Sequence, residues 1–349
     1  MQACAQQTNP VLVVAEAEIR RMQPEDAPGV ARLMQDVYGN TYPKKYVYDP
    51  VQLREKNAKG EVLSVVAAGP KGTVIGYAAL SAYYGYPEIG LLGSMAVTPS
   101  CRGRGLAGTI LRHLIACSDG TEFRALTGGA FTAHPHSQRA MEHEGFSPSA
   151  LLLGSQPQEI SFRELTGALS QRESVVFYTK ALHEEEFAFQ YLPENHRKTI
   201  REISGKLGIR INADGSGKPG RARTVIEKTI NPDTGAGLIW IRRVGPDYRE
   251  AVADTARQLR AHGAQVMRMH VDLNDPGANA VVAAAEEAGF IFAGILPGEE
   301  GYILILQHLQ DITIDLRKIQ TGGNACSERL LSYIGAQMKE HEDGAGSGS

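Results

Sequence analysis

No stretch of this chain approaches the roughly 20 consecutive apolar residues that a helix needs to cross a bilayer, so no membrane partner is expected. Neither Lys nor Arg precedes the short apolar run 11–14, so the charged start of a secretory signal is missing as well. Cysteine is scarce. Cys4, Cys101, Cys117 and Cys326 stand apart without any C-x-x-C pair, which argues against a disulfide framework and a zinc site and fits a reducing, cytoplasmic setting. There is no H-E-x-x-H and no Cys/His cluster, so no metal is expected. An excess of positive charge is absent too. With 36 Lys+Arg against 39 Asp+Glu the net charge is -3, which leaves nothing to neutralise a phosphate backbone and excludes nucleic acid as the natural partner. What remains is a globular balance, 42% hydrophobic and 21% charged, in 349 residues, about twice the length of an ordinary domain.

Periodicity divides the chain into two units. In the first, residues 18–182, a short alternating strand at 18–22 precedes a helix over 24–38 and another over 49–57. Strands at 62–68, 74–82 and 89–97 follow, set apart by turn signals at 69–72 and 86–87, the pattern of an antiparallel meander. A helix over 105–117, a strand at 125–132, a helix over 137–144 and strands at 149–154 and 174–180 complete the unit. The charged, aperiodic stretch 183–186 marks the boundary. The second unit, residues 187–340, has a helix over 193–207, strands at 224–230 and 237–243, a helix over 248–262, a strand at 266–272, a helix over 278–288, strands at 290–296 and 302–309, and a last helix over 328–340. Its order repeats the later half of the first unit, and Glu144-Gly-Phe146 and Ala288-Gly-Phe290 both join a helix to a strand, so an internal duplication is expected. The fold class is a mixed α/β sheet covered by helices. Residues 344–349 read as a flexible tail.

Chemistry concentrates between Met95 and Ile110. A strand ends near Val97, Arg102, Gly103, Arg104 and Gly105 form a loop, and an apolar helix begins at Leu106. Glycines let the main-chain N–H groups turn toward one point, where a helix N-terminus and two arginines add positive charge, a geometry that binds a pyrophosphate. Residues 103–108 match G-x-G-x-x-G literally. The dinucleotide fingerprint, however, needs its first glycine at the very end of a strand and an acid ending the next one. Here residues 98–102 intervene, and the next strand ends at Ala133 and His134. The loop at 214–220 fails as a Walker motif, because Lys218 is followed by Pro219.

Read instead as R/Q-x-x-G-x-G/A, the loop from Arg102 to Ala107, with Val97, Thr98 and Pro99 before it, resembles the pyrophosphate loop of the GNAT superfamily of CoA-dependent N-acyltransferases. Element order from Ile19 to Lys180 resembles that family as well. The resemblance implies acetyl-CoA as co-substrate. It implies that Arg102, Gly103, Arg104, Gly105, Leu106 and Ala107, with Gly108 in the next turn, hold the diphosphate. Met95, Ala96 and Val97 would hold the pantetheine arm, the Val97 N–H polarising the thioester. The family's later motif falls on His134, Ser137 and Met141. Met141 stands where a Tyr often protonates the departing thiolate and has no proton to give, which leaves Ser137, His134, His136 or a water for that task. Glu88, at the start of a strand beside Tyr83, Tyr84 and Tyr86, is the candidate base, with His134 and His136 as alternatives. Each also has a plainer reading: Glu88 as a solvated strand start, the histidines as helix caps, Met141 as core.

The second unit has no such loop after its strand at 237–243, and Asp247 and Glu250 there would repel a phosphate. It resembles a degenerate second copy in a tandem arrangement. The expected activity is acetyl transfer to a primary amine of a small molecule. The alternatives are a protein lysine acceptor and a non-catalytic CoA sensor whose second unit docks a protein. A homodimer is a further possibility.

Overall fold

The computed structural model describes residues 10–162, 166, 168–182, 189–209, 211, 215, 217–299 and 301–346. Its elements run α1 (Pro10–Ala15), β1 (Glu18–Arg21), α2 (Ala27–Tyr38), α3 (Pro50–Ala58), β2 (Leu63–Ala68), β3 (Val74–Tyr83), β4 (Tyr86–Val97), α4 (Leu106–Ser118), β5 (Ala125–Phe131), α5 (His136–His143), β6 (Ser147–Gln156) and β7 (Glu173–Ala181). They continue with α6 (Arg197–Lys206), β8 (Val225–Ile230), β9 (Gly237–Arg243), α7 (Tyr248–Ala261), β10 (Val266–Asp272), α8 (Ala278–Glu287), β11 (Ile291–Gly298), β12 (Gly301–Leu309) and α9 (Ala325–Gly346). The fold is mixed α/β, as the alternation of periods predicts.

All twelve strands join one sheet in the order β1-β2-β3-β4-β5-β7-β6-β11-β12-β10-β9-β8. From β3 to β8 the order is mirrored about the β6–β11 junction, with β1 and β2 extending one end. In the first half β4 and β5 are parallel and β5, β7 and β6 antiparallel, while in the second β9 and β10 are parallel and β10, β12 and β11 antiparallel. At the seam β11 meets β6 through Gly294 and Ala150. Gly294 sits at φ 140, and a Cβ there would strike the Ser149 carbonyl and the Ala150 main chain, so only glycine admits this approach. Buried Gln307 reinforces the seam: its Oε1 accepts from Leu153 N at 2.7 Å and its Nε2 donates to the Leu151 carbonyl at 3.2 Å.

Helices α2 and α3 cover one face beside β2 and β3, where Val30, Leu33, Met34 and Val37 pack on Val66, Tyr77 and Ala79. Helices α4 and α5, and those of the second half, cover the other. Where α2 and α3 leave the first face bare, the sheet curls, and Tyr83, Tyr86, Leu91 and Phe177 pack against Leu238, Trp240, Ile303 and Ile305 of the second half. The two halves therefore share a core.

Several boundaries differ from the sequence reading. The turn expected at 86–87 lies at Tyr84 and Gly85, because Gly85 at φ 78 supplies the left-handed residue, and Tyr86 and Pro87 belong to β4. The last helix continues to Gly346, into the stretch read as a tail, and the helix expected from 193 begins at Arg197. The apolar run 11–14 is helical. The expected boundary at 183–186 lies outside the described residues. Among the described residues no helix is long and apolar enough to cross a membrane, and no group of three His, Cys, Asp or Glu side chains is placed to hold a metal ion.

Candidate active site

A cleft of about 690 Å³ opens where β4 and β5 part. The two strands pair only from Ile89 and Ala125 to Leu92 and Gly128, so the β5-facing main-chain edge of residues 93–97 has no partner in β5. On its other side β4 bulges: two residues, Ser94 and Met95, oppose Ala78 alone, and Ser94 takes φ 55. A non-glycine residue there costs about 1–3 kcal/mol and persists only when its surroundings hold it. Two tyrosines of the α2 side do so. The Ser94 N–H donates to Tyr42 Oη at 2.8 Å, and Tyr38 Oη donates to the Met95 carbonyl at 2.7 Å. Burial raises both phenols above the ordinary tyrosine value, so they stay protonated.

The loop after β4 forms one end of the cleft. Arg102 folds back, its Nε donating to the Val97 carbonyl at 3.2 Å, and its charge opposes part of the rise at Tyr38 and adds to the lowering at His134. Gly103 and Gly105 adopt φ 72 and 76, and a Cβ on either would meet nothing within 4 Å. Gly105 caps α4 without any side chain, leaving the first-turn N–H groups of the helix uncovered. Bare, outward-turned main chain at a helix N-terminus fits a diphosphate. Gly108 lies one turn on, beside Glu144, whose carboxylate is held by Arg112 at 2.7 Å. Met95, Ala96, Val97, Arg102, Gly103, Gly105, Leu106, Ala107 and Gly108 all line the cleft, whereas Arg104 is exposed and turned out of it.

His134 and Ser137 line the opposite wall, and neither His134 Nδ1 nor Ser137 Oγ has a hydrogen-bond partner. Buried Glu173 holds the turn that carries His134, accepting from Thr132 N, Thr132 Oγ1 and Ala133 N. Desolvation, with the charges of His136 and Arg102, lowers His134 to about 4. It is therefore a neutral imidazole near pH 7. Met141 is buried at the strand divergence, where a Cβ on Gly128 would strike its methyl group.

Glu88 stands outside the cleft lining, whose β4 part runs from Leu91 to Val97. Instead it pairs with Arg124 at 2.9 Å, whose guanidinium also donates to the Gly298 and Glu299 carbonyls of the second half. The shifted hairpin turn puts Glu88 at the far end of the strand. Its proximity to the tyrosines in sequence does not become a place in the cleft lining.

Other titratable residues do line the cleft. Lys44 lies with its amine 3.7 Å from where a Gly93 Cβ would be, and desolvation lowers its pKa to about 8. The β8–β9 turn reaches across from the second half with Asn231, Asp233 and Thr234, and β10 contributes Arg268. Desolvation raises the Asp233 carboxyl against the opposing effect of Lys44 and Lys45. The turn is firmly built: Asn231 Oδ1 accepts from Asp233 N at 2.9 Å, Asn231 N donates to the Ala236 carbonyl at 2.8 Å, and Arg172 Nη2 donates to the Thr234 carbonyl at 3.1 Å. No local motif announces these residues, because they meet β4 only through the curl of the sheet.

The corresponding loop of the second half is closed. The Gly245 N–H donates to Thr224 Oγ1 at 3.0 Å, Thr224 N donates to Asp247 Oδ1 at 2.7 Å, and a Cβ on Gly245 would strike the Ala222 carbonyl. The main chain is open at Gly103 and Gly105, whereas here it is enclosed and the Gly245 N–H is satisfied within the chain.

Residues 27–146 match the model of the acetyltransferase (GNAT) family. Among solved structures, an N-acetyltransferase from Staphylococcus aureus Mu50 is 18% identical, with a TM-score of 0.40 over 48% of this chain and 99% of its own. A ribosomal-protein-alanine N-acetyltransferase from Brucella melitensis is 21% identical, with a TM-score of 0.38 over 47% of this chain and 99% of its own. A GNAT superfamily phosphinothricin acetyltransferase from Sinorhizobium meliloti, in complex with AcCoA, is 21% identical, with a TM-score of 0.39 over 48% of this chain and 90% of its own. No curated protein matches the chain.

Proposed function

Because residues 27–146 form a domain of the acetyltransferase (GNAT) family, we propose that the chain transfers an acetyl group from acetyl-CoA to the primary amine of a small molecule. The observation that carries this reading is the cleft at the β4–β5 divergence, with open glycine main chain at one end and titratable groups at the other. Bound acetyl-CoA supplies the acyl group as a reactive thioester. Gly103, Gly105, Leu106, Ala107 and Gly108 hold its diphosphate, and Met95, Ala96 and Val97 hold its arm along the unpaired strand edge, the Val97 N–H facing the thioester oxygen. A preorganised donor of that kind strengthens its contact as negative charge develops. Arg102 braces the strand end from below.

Asp233 accepts the proton of the acceptor ammonium, a role that suits a carboxyl raised by desolvation. Ser137 offers its unpartnered hydroxyl to the departing thiolate. A thiol with a pKa of about 8.5 leaves with little help at neutral pH, so the Met at position 141 is tolerated. Residues 18–182 would then be the acetyltransferase unit and 187–340 a second copy that has lost its cofactor loop and now walls the acceptor side. That wall supports a small-molecule acceptor over a protein lysine. Free-thiol release from acetyl-CoA with a panel of small primary amines tests the reading. Turnover that falls in Asp233→Asn and Ser137→Ala is expected, and tight CoA binding with no turnover on any amine would favour the sensor alternative.

A further inference from the structure

Arg268 stands out in the acceptor wall. It is 8% exposed and lines the cleft, yet its Nε has no hydrogen-bond partner and its Nη2 makes only a 3.3 Å contact to the Ser155 carbonyl. Among the described residues no carboxylate lies within ion-pair distance of it. The titratable groups that face it are the phenols of Tyr83 and Tyr84, which burial keeps protonated and uncharged, and a second guanidinium, Arg172. A guanidinium stays charged even when burial lowers its pKa, and an unpaired buried charge costs free energy that a ligand of opposite sign recovers. Arg172 is itself committed to the Gly154 and Thr234 carbonyls, so it adds positive potential without competing for a ligand.

We infer that Arg268 is the anchor for a carboxylate on the acceptor, and that the substrate is an amino carboxylate whose amine lies by Asp233. This rests on the acyl-transfer reading above for the identity of the site. Tyr84 ties the two ends together: it is within electrostatic reach of both Asp233 and Arg268 and hydrogen-bonds Asn231. An ammonium toward the acid and a carboxylate toward the fork of the guanidinium satisfy both wall charges at once. A planar monoanion suits Arg268 better than a phosphate, because no helix N-terminus or glycine nest accompanies it there. Anchor and acid belong to the half of the chain that carries no cofactor loop. Retention of that half is explained if it selects the acceptor.

The test uses the full chain loaded with CoA, and compares thermal shifts with matched ligands: a set of amino acids, the amines obtained by removing their carboxylates, and the corresponding aminophosphonates. The expected result is a shift with the amino acids at least tenfold lower in half-saturating concentration than with the matched amines. That preference disappears in Arg268→Gln while CoA affinity is unchanged. Because the wild-type charge is unpaired without ligand, the unliganded Arg268→Met protein is expected to melt no lower than wild type, which separates loss of the anchor from misfolding. Equal response to amines and amino acids, no response to either, or retention of the preference in Arg268→Gln overturns the inference. Preference for the phosphonates replaces the carboxylate with a dianion and equally overturns it. Failure to bind CoA at all is a separate result and counts against the acyl-transfer reading itself.

Discussion

Asp233 and Tyr38 illustrate two ways in which single side chains act at this site. Asp233 sits at the cleft with its carboxyl raised by desolvation, and positioned proton transfer contributes roughly 10²–10⁴-fold to rate. Asp233→Asn is expected to lower kcat/KM by about that factor and to erase the acidic limb of its pH profile, which steady-state thiol release measures. Tyr38 works indirectly, through its 2.7 Å hydrogen bond to the Met95 carbonyl. Tyr38→Phe strands that buried carbonyl at a cost of about 1–3 kcal/mol. Denaturant unfolding is expected to register the loss, along with a raised KM for acetyl-CoA. At this scale the sequence was informative only where chemistry is local. Arg102 to Gly108 announce themselves because glycines, arginines and a helix start are contiguous. Lys44, Asp233 and Arg268 are separated by long stretches of chain, and nothing in their neighbours reports that a sheet will bring them together. Glu88 shows the converse: it is near Tyr83 and Tyr84 in sequence, both of which line the cleft, while its own carboxylate pairs with Arg124 outside the lining.

At the scale of elements, the divergence of β4 and β5 creates the cleft, and the packing beneath it keeps the strands apart. Gly128 ends their pairing, and its missing Cβ makes room for the Met141 methyl group and for Leu92. Gly128→Ala inserts an atom into a filled core, which typically costs 1–3 kcal/mol. The expected outcome is destabilisation of that size with weaker CoA binding, whereas pairing Gly128→Ala with Met141→Ala restores part of both. Strands and helices were legible from periodicity because each buries one face against the same large sheet, so the apolar spacing is uninterrupted. The hairpin turn was misplaced because Tyr86 and Pro87 look like a turn, while the left-handed residue the turn requires is Gly85.

For the whole molecule the decisive feature is the seam between β6 and β11, which joins the two halves of the strand order into one curved sheet. Gln307 satisfies main-chain groups of both Leu151 and Leu153 across it. Gln307→Leu leaves them buried and unpaired, at about 1–3 kcal/mol for each. Lower stability is expected, together with a shift in the emission of Trp240, which packs between the halves. Burial also holds three imidazoles neutral, His134 and His308 lowered to about 4 and His270 to about 3, mainly by desolvation. Their unfolded counterparts titrate near 6.5, so between pH 6.5 and 4 the unfolded chain binds more protons than the folded one. Stability is therefore full above pH 6.5 and falls as the pH drops, by up to about 1.4 kcal/mol per unit for each group. Urea midpoints at pH 7.5 and 5.0 measure the fall, and His270→Phe is expected to reduce it. The order of strands and helices in each half was readable in the sequence. Their union was not, because the seam depends on Gly294 at a single approach and on one glutamine, neither of which forms a pattern.

Isothermal titration of the full chain with CoA tests the account most directly. One molecule of CoA per chain is expected to bind, reflecting one open glycine loop and one that is closed, and binding is expected to vanish in the Gly103→Glu, Gly105→Glu double variant while the Gly245→Ser chain, if folded, still binds one. Two equivalents of CoA per chain, no heat of binding, or binding indifferent to Gly103 and Gly105 would contradict it.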